Sequence, residues 1–144
     1  MKRKPGVDIP EEWRGVLAHR DPAEAGAAAG RFVASGLTPA QVRDTLADGG
    51  DGLYAAARTE GPGWAEPFGG QLGVALLAAE VSAFAAHLSS RAARVRAVAV
   101  NQLLDDLSAV TVADRLGVSR QKVYDLARND QAAPYIDTVP WRQP

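Results

Sequence analysis

The chain contains no cysteine, so neither disulfides nor thiolate metal sites can hold its fold, and a reducing cytoplasm is the compartment its composition suits. Aromatic residues amount to only 6%, and the β-branched and aromatic side chains are scattered, where a sheet would need them to alternate. The longest apolar run, residues 72–88, is broken by Glu80, Ser82 and His87 and is short for a bilayer span, so no membrane segment is expected. Met1-Lys2-Arg3-Lys4 leads into Pro5-Gly6-Val7-Asp8 and not into an apolar core, so no secretory leader is expected either. A Gly-rich phosphate loop ending in Lys-Ser or Lys-Thr is missing, as is a His-Glu-x-x-His pair, and His19 and His87 are the only histidines. With no nucleophile, base and orienting group in view, the sequence predicts no enzyme, no metal site and no cofactor.

What remains is apolar, alanine-rich and suited to helices. At 144 residues the chain has room for one compact domain, or for a small body with an appended module. Its net charge of −1 conceals an uneven distribution. Residues 5–90 carry five arginines against eleven Asp and Glu, a balance of −6, whereas residues 91–128 carry six arginines and Lys122 against Asp105, Asp106, Asp114 and Asp125, a balance of +3. A surplus of one sign on one segment matters more than the total for a protein that meets a polyanion.

Proline and glycine punctuate the first half into short helices. Pro10 is placed to open one, with Trp13 and Leu17 on a shared face. Asp21 reads as the N-cap of the next, with Glu24 three residues on, and Gly36 ends it. Thr38-Pro39-Ala40-Gln41 combines a capping hydroxyl, a first-turn proline and an N3 glutamine, and Gly49-Gly50 stops the helix it starts. A further short helix is expected over residues 51–58, then a loop through Gly61-Pro62-Gly63 and Gly69-Gly70.

Residues 71–116 contain no proline and a single glycine, Gly73, which predicts one long helix or two abutting ones. Val74, Leu77, Val81, Phe84, Leu88, Val95 and Val98 recur three and four residues apart, interrupted at Arg91. That stripe predicts burial, against the N-terminal helices or in the seam of a homodimer through residues 74–98. Ser89-Ser90 is the expected break or bend.

The most informative segment is residues 108–128. Ser108 can cap a short helix with Val112 and Leu116 inward and the small Ala113 where a second helix must cross closely. Gly117 can supply the positive φ of a tight turn, Val118 fills the corner, and Ser119 caps a second helix whose inner face is Val123 and Leu126. Its outer face holds Arg120, Gln121, Tyr124 and Arg128, with Lys122 at the flank. These side chains are long enough to reach base edges or phosphates from a helix in the major groove. Asp125 is the exception, able to accept from cytosine, to pair with Arg128 or to repel a phosphate. A preceding helix over residues 92–107, with Val95, Val98, Leu103, Leu104 and Leu107 inward, would complete a three-helix unit.

The run VADRLGVSRQKVYDLAR resembles the tri-helical helix-turn-helix superfamily of bacterial repressors and of the DNA-binding ends of resolvase-type recombinases. Ala113 stands four positions before Gly117, and Val112, Leu116, Val118, Val123 and Leu126 match the family's buried positions. The resemblance spans residues 93–128, about a quarter of the chain. It implies that Ser119, Arg120, Gln121, Lys122, Tyr124 and Arg128 face double-stranded DNA, that residues 119–128 form the recognition helix, and that the chain is a transcriptional regulator. Two other roles stay open: an interaction adaptor or antitoxin-like partner, and an accessory factor in DNA replication, partition or recombination.

The expected architecture is therefore all-α. It comprises an N-terminal short-helix body over residues 1–70, a packing helix over 71–91, the helix-turn-helix over 92–128 and a tail over 129–144. In that tail Pro134, Tyr135, Ile136, Pro140 and Trp141 form a docking strap or await a partner. Lys2-Arg3-Lys4 is either a solvated end or an arm for phosphate or the minor groove.

Overall fold

A computed structural model of the chain describes residues 9–128 and Pro140. The described residues are all-helical, with seven α-helices and no strand: α1 (Glu11–Val16), α2 (Pro22–Ala34), α3 (Pro39–Ala47), α4 (Asp51–Thr59), α5 (Gly70–Asp106), α6 (Ala109–Leu116) and α7 (Arg120–Ala127). They form two compact units, one from the residues up to Ala85 with Pro140, the other from Ala86 onward, and α5 contributes to both. Lys2-Arg3-Lys4, Tyr135 and Trp141 lie outside the described residues; Pro140 is fully buried.

In the first unit α1 packs on α2 and α3, and α3 on α4. Local chemistry sets where these helices begin. The Asp21 carboxylate accepts from the Glu24 amide at 2.8 Å, and Thr38 and Gln41 form a reciprocal capping box, the Gln41 side chain accepting from the Thr38 amide at 2.8 Å. Trp13 stacks on Phe32, ring centroids 5.7 Å apart and nearly parallel, and both rings are buried among Leu17, Val42 and Leu46. Leu77 and Phe84 of α5 enter the same core. Gly73 lets α5 start where it does, since a Cβ there would lie 2.0 Å from the Phe68 carbonyl oxygen.

The interruption of the apolar run is the anchor of this unit. Glu80 is only 2% exposed. Arg20 donates to both of its carboxylate oxygens, Nε at 2.8 Å to Oε1 and Nη2 at 2.7 Å to Oε2, and His19 Nε2 lies 2.8 Å from Oε1. Burial by itself pushes the Glu80 carboxyl up, but the hydrogen bonds from His19 and Arg20 and their charge outweigh it and hold it below the usual carboxylate range. The same hydrogen bond raises Arg20, against the opposing effect of its partial burial. By length and composition α5 could cross a membrane; here Leu77, Glu80 and Phe84 are spent on the chain's own interior.

Three expectations for α5 need correction. The helix is unbroken through Ser89 and Ser90, so the segment from Ala92 is its second half and not a separate helix. Two serines compete only weakly for backbone bonds, and the flanking helix-forming residues carry the helix past them. The apolar stripe is not buried throughout: Val95 and Val98 are 69% and 51% exposed, and Leu88 and Leu103 are also exposed. Ala97 and Val100 are buried instead, Leu104 packing on the cluster that holds Val100, a change of phase along the helix that a continuous heptad register does not contain. Residues 74–98 therefore cannot form one seam, because Leu77 and Phe84 are already buried.

Candidate nucleic-acid interface

The second unit is built from the end of α5 with α6 and α7. Ser108 Oγ accepts from the Thr111 amide at 3.2 Å and starts α6; Ser119 Oγ accepts from the Lys122 amide at 3.1 Å and starts α7. Between them Gly117 adopts the left-handed conformation, φ 69° and ψ 33°, and the Val118 amide returns to the Ala113 carbonyl at 3.0 Å. Val112, Ala113, Val123 and Leu126 are buried together with Val100, and Leu107 and Val118 pack on them. Leu116, expected inside, is 43% exposed; it is the last residue of α6, and the chain reverses at Gly117 before a neighbour covers it.

A Cβ at position 117 would meet nothing within 4 Å, so the cost of replacing this glycine is backbone strain alone. Gly117→Ala is expected to destabilise the unit by about 1–2 kcal/mol. Amide hydrogen exchange read residue by residue should then quicken in α6 and α7 and stay unchanged in α2 and α3.

Ser119, Arg120, Gln121, Lys122, Tyr124 and Arg128 are all exposed. Gln121, Tyr124, Asp125 and Arg128 lie on the side of α7 opposite Val123 and Leu126, while Arg120 and Lys122 occupy its flanks. Asp125 ties this face together. Its Oδ1 accepts from Gln121 Nε2 and from an Arg128 guanidinium nitrogen, each at 3.2 Å. Arg128 Nε also donates to the Tyr124 carbonyl at 3.3 Å. One carboxylate thus holds an amide and a guanidinium side by side, both with donors left over. Ser119 caps through its oxygen and retains its hydroxyl proton to donate. Arg120 and Lys122 make no ion pair among the described residues.

Asn101 is a residue the sequence did not single out. Its Nδ2 donates to the Ala97 carbonyl within α5 and to the Ala127 carbonyl at the end of α7, both at 2.9 Å. That second bond satisfies a terminal carbonyl and fixes the angle of α7 on α5. Asn101, Leu104, Gln121, Tyr124, Ala127 and Arg128 line a groove beside the exposed face of α7. No spacing rule flags an asparagine 26 residues from its acceptor, which is why only the folded chain reveals it. No group of three or more His, Asp or Glu side chains among the described residues is placed to hold a metal ion.

The chain significantly matches no protein-family model, no curated protein and no solved structure.

Proposed function

We propose that residues 92–128 form a tri-helical helix-turn-helix and that the chain binds double-stranded DNA through α7, acting in the cytoplasm as a regulator of transcription. The observation that carries the reading is the one-sidedness of α7: two buried apolar residues behind, Gln121, Tyr124 and Arg128 exposed in front with Asp125 between them, Arg120 and Lys122 exposed on the flanks, and Ser119 exposed at the N-cap. Arg and Lys contacts to phosphates supply affinity and register, and Arg120, Gln121 and Tyr124 read base edges. Asp125 orients Gln121 and Arg128 in the free protein and can accept from a cytosine amino group in the complex. In this reading α5 is a core helix of both units and not a membrane span.

The test is a gel-shift titration on duplexes selected from the parent genome. Arg120→Ala is expected to weaken selected duplexes by about 1–3 kcal/mol and unselected ones by much less. Equal affinity of variant and parent for selected duplexes, with the fold intact, would remove Arg120 from the base-reading set. A second reading, an adaptor whose body holds another protein, is favoured by the −6 balance of residues 5–90; there Arg120→Ala would leave partner binding untouched.

A further inference from the structure

We propose that two copies of the chain associate through the outward face of α5 between Leu88 and Asp106, with the two helices antiparallel. The proposal does not depend on DNA binding. On the side of α5 away from Ala97, Val100 and Leu104, successive turns present Leu88, Ala92, Val95, Val98 and Ala99, with Arg91 and Gln102 interspersed among them. Val95, at the centre of that face, is the most exposed of its large apolar side chains at 69%. A stripe of valine, leucine and alanine with small residues between large ones is suited to close helix packing.

Charge selects both the occupant and its direction. Arg94 and Arg96 flank the stripe in its middle, and Asp105 and Asp106 close it in the last turn of α5. Acidic groups at a helix C-terminus oppose the helix dipole, and neither aspartate has an ion pair among the described residues. A second copy in the same direction and register would set arginines against arginines and aspartates against aspartates. Reversed about a point between Ala99 and Val100, it brings Arg94 of each copy beside Asp105 of the other. Arg94 and Asp105 lie on the same flank of the stripe, eleven residues apart, and in an antiparallel pair the same flanks meet. The complement of this surface is therefore the surface itself, as a twofold contact requires.

Sedimentation equilibrium of the full chain is expected to give twice the 15.1 kDa chain mass. Val95→Glu is expected to weaken the dimer roughly tenfold or more with helix content unchanged, since Val95 contributes to neither core. Arg94→Asp should weaken it too, and adding Asp105→Arg should restore it. The absence of native cysteine makes direction directly readable: Val98→Cys should cross-link to its own copy under oxidation, and Leu88→Cys should not. A monomer at every concentration, a dimer indifferent to Val95→Glu, or equal cross-linking at positions 88 and 98 would each overturn the proposal.

Discussion

Raising the salt from 50 to 200 mM is expected to weaken binding to duplex DNA by about 500-fold, if about five phosphates are neutralised. The estimate comes from the charge carried by the second half of the chain. Residues 91–128 hold seven cationic side chains, and Arg120, Lys122 and Arg128 stand exposed on or beside the face of α7. Each phosphate engaged releases condensed counterions, giving a slope of about −0.9 in log affinity against log salt per contact, hence about −4.5 for five. The slope is measured by fluorescence anisotropy on a labelled duplex. Lys122→Ala should reduce its magnitude by about one without changing sequence preference, because base reading is assigned to Arg120, Gln121 and Tyr124 and phosphate contact to Lys122. A flat salt dependence would leave no role for these cations at a nucleic-acid surface.

The second large effect is on stability. Glu80→Gln is expected to destabilise the first unit by about 2–4 kcal/mol, seen as a fall in melting temperature of roughly 10 °C or more. The carboxylate is buried, and its loss leaves the Arg20 charge and the His19 ring without the anion they surround. Arg20 retains some exposure, which moderates the penalty. The linkage with pH has a definite sign. The folded state holds Glu80 below its ordinary value, so its contribution is fully present above the ordinary glutamate range and is lost as pH falls through the lower folded value. Arg20, raised further, stays charged throughout and adds no pH dependence in that window. Wild type should lose stability on acidification more steeply than Glu80→Gln. A variant within about 0.5 kcal/mol of wild type at neutral pH would show that the ion pair is not the anchor described.

Much of the local structure was legible because it depends on residues within four positions of one another. Thr38 with Gln41, Asp21, Ser108, Ser119 and Gly117 take the capping and turn roles their chemistry suggests. Val112, Ala113, Val123 and Leu126 are buried as the short-helix pattern requires. The phase of α5 was not legible. A three-and-four pattern continues through Leu88, Val95 and Val98, but its last members are exposed, and Ala97 and Val100 are buried instead. Sequence periodicity reports that a face is apolar without saying which of two apolar faces a neighbour covers. The Glu80 cluster escaped for a different reason: its partners lie 60 and 61 residues away, and in sequence it appears only as a polar gap in an apolar run. Asn101 escaped likewise, its second acceptor belonging to another helix.

The central assignment is most directly tested by following backbone amide chemical shifts of the full chain while a duplex is titrated in. If the reading is right, the largest changes fall on residues 119–128, with smaller ones at the start of α6 and at Asn101, and α1 to α4 stay where they were. Shifts confined to α1 to α4, or a spectrum that ignores the duplex at low salt, would contradict it.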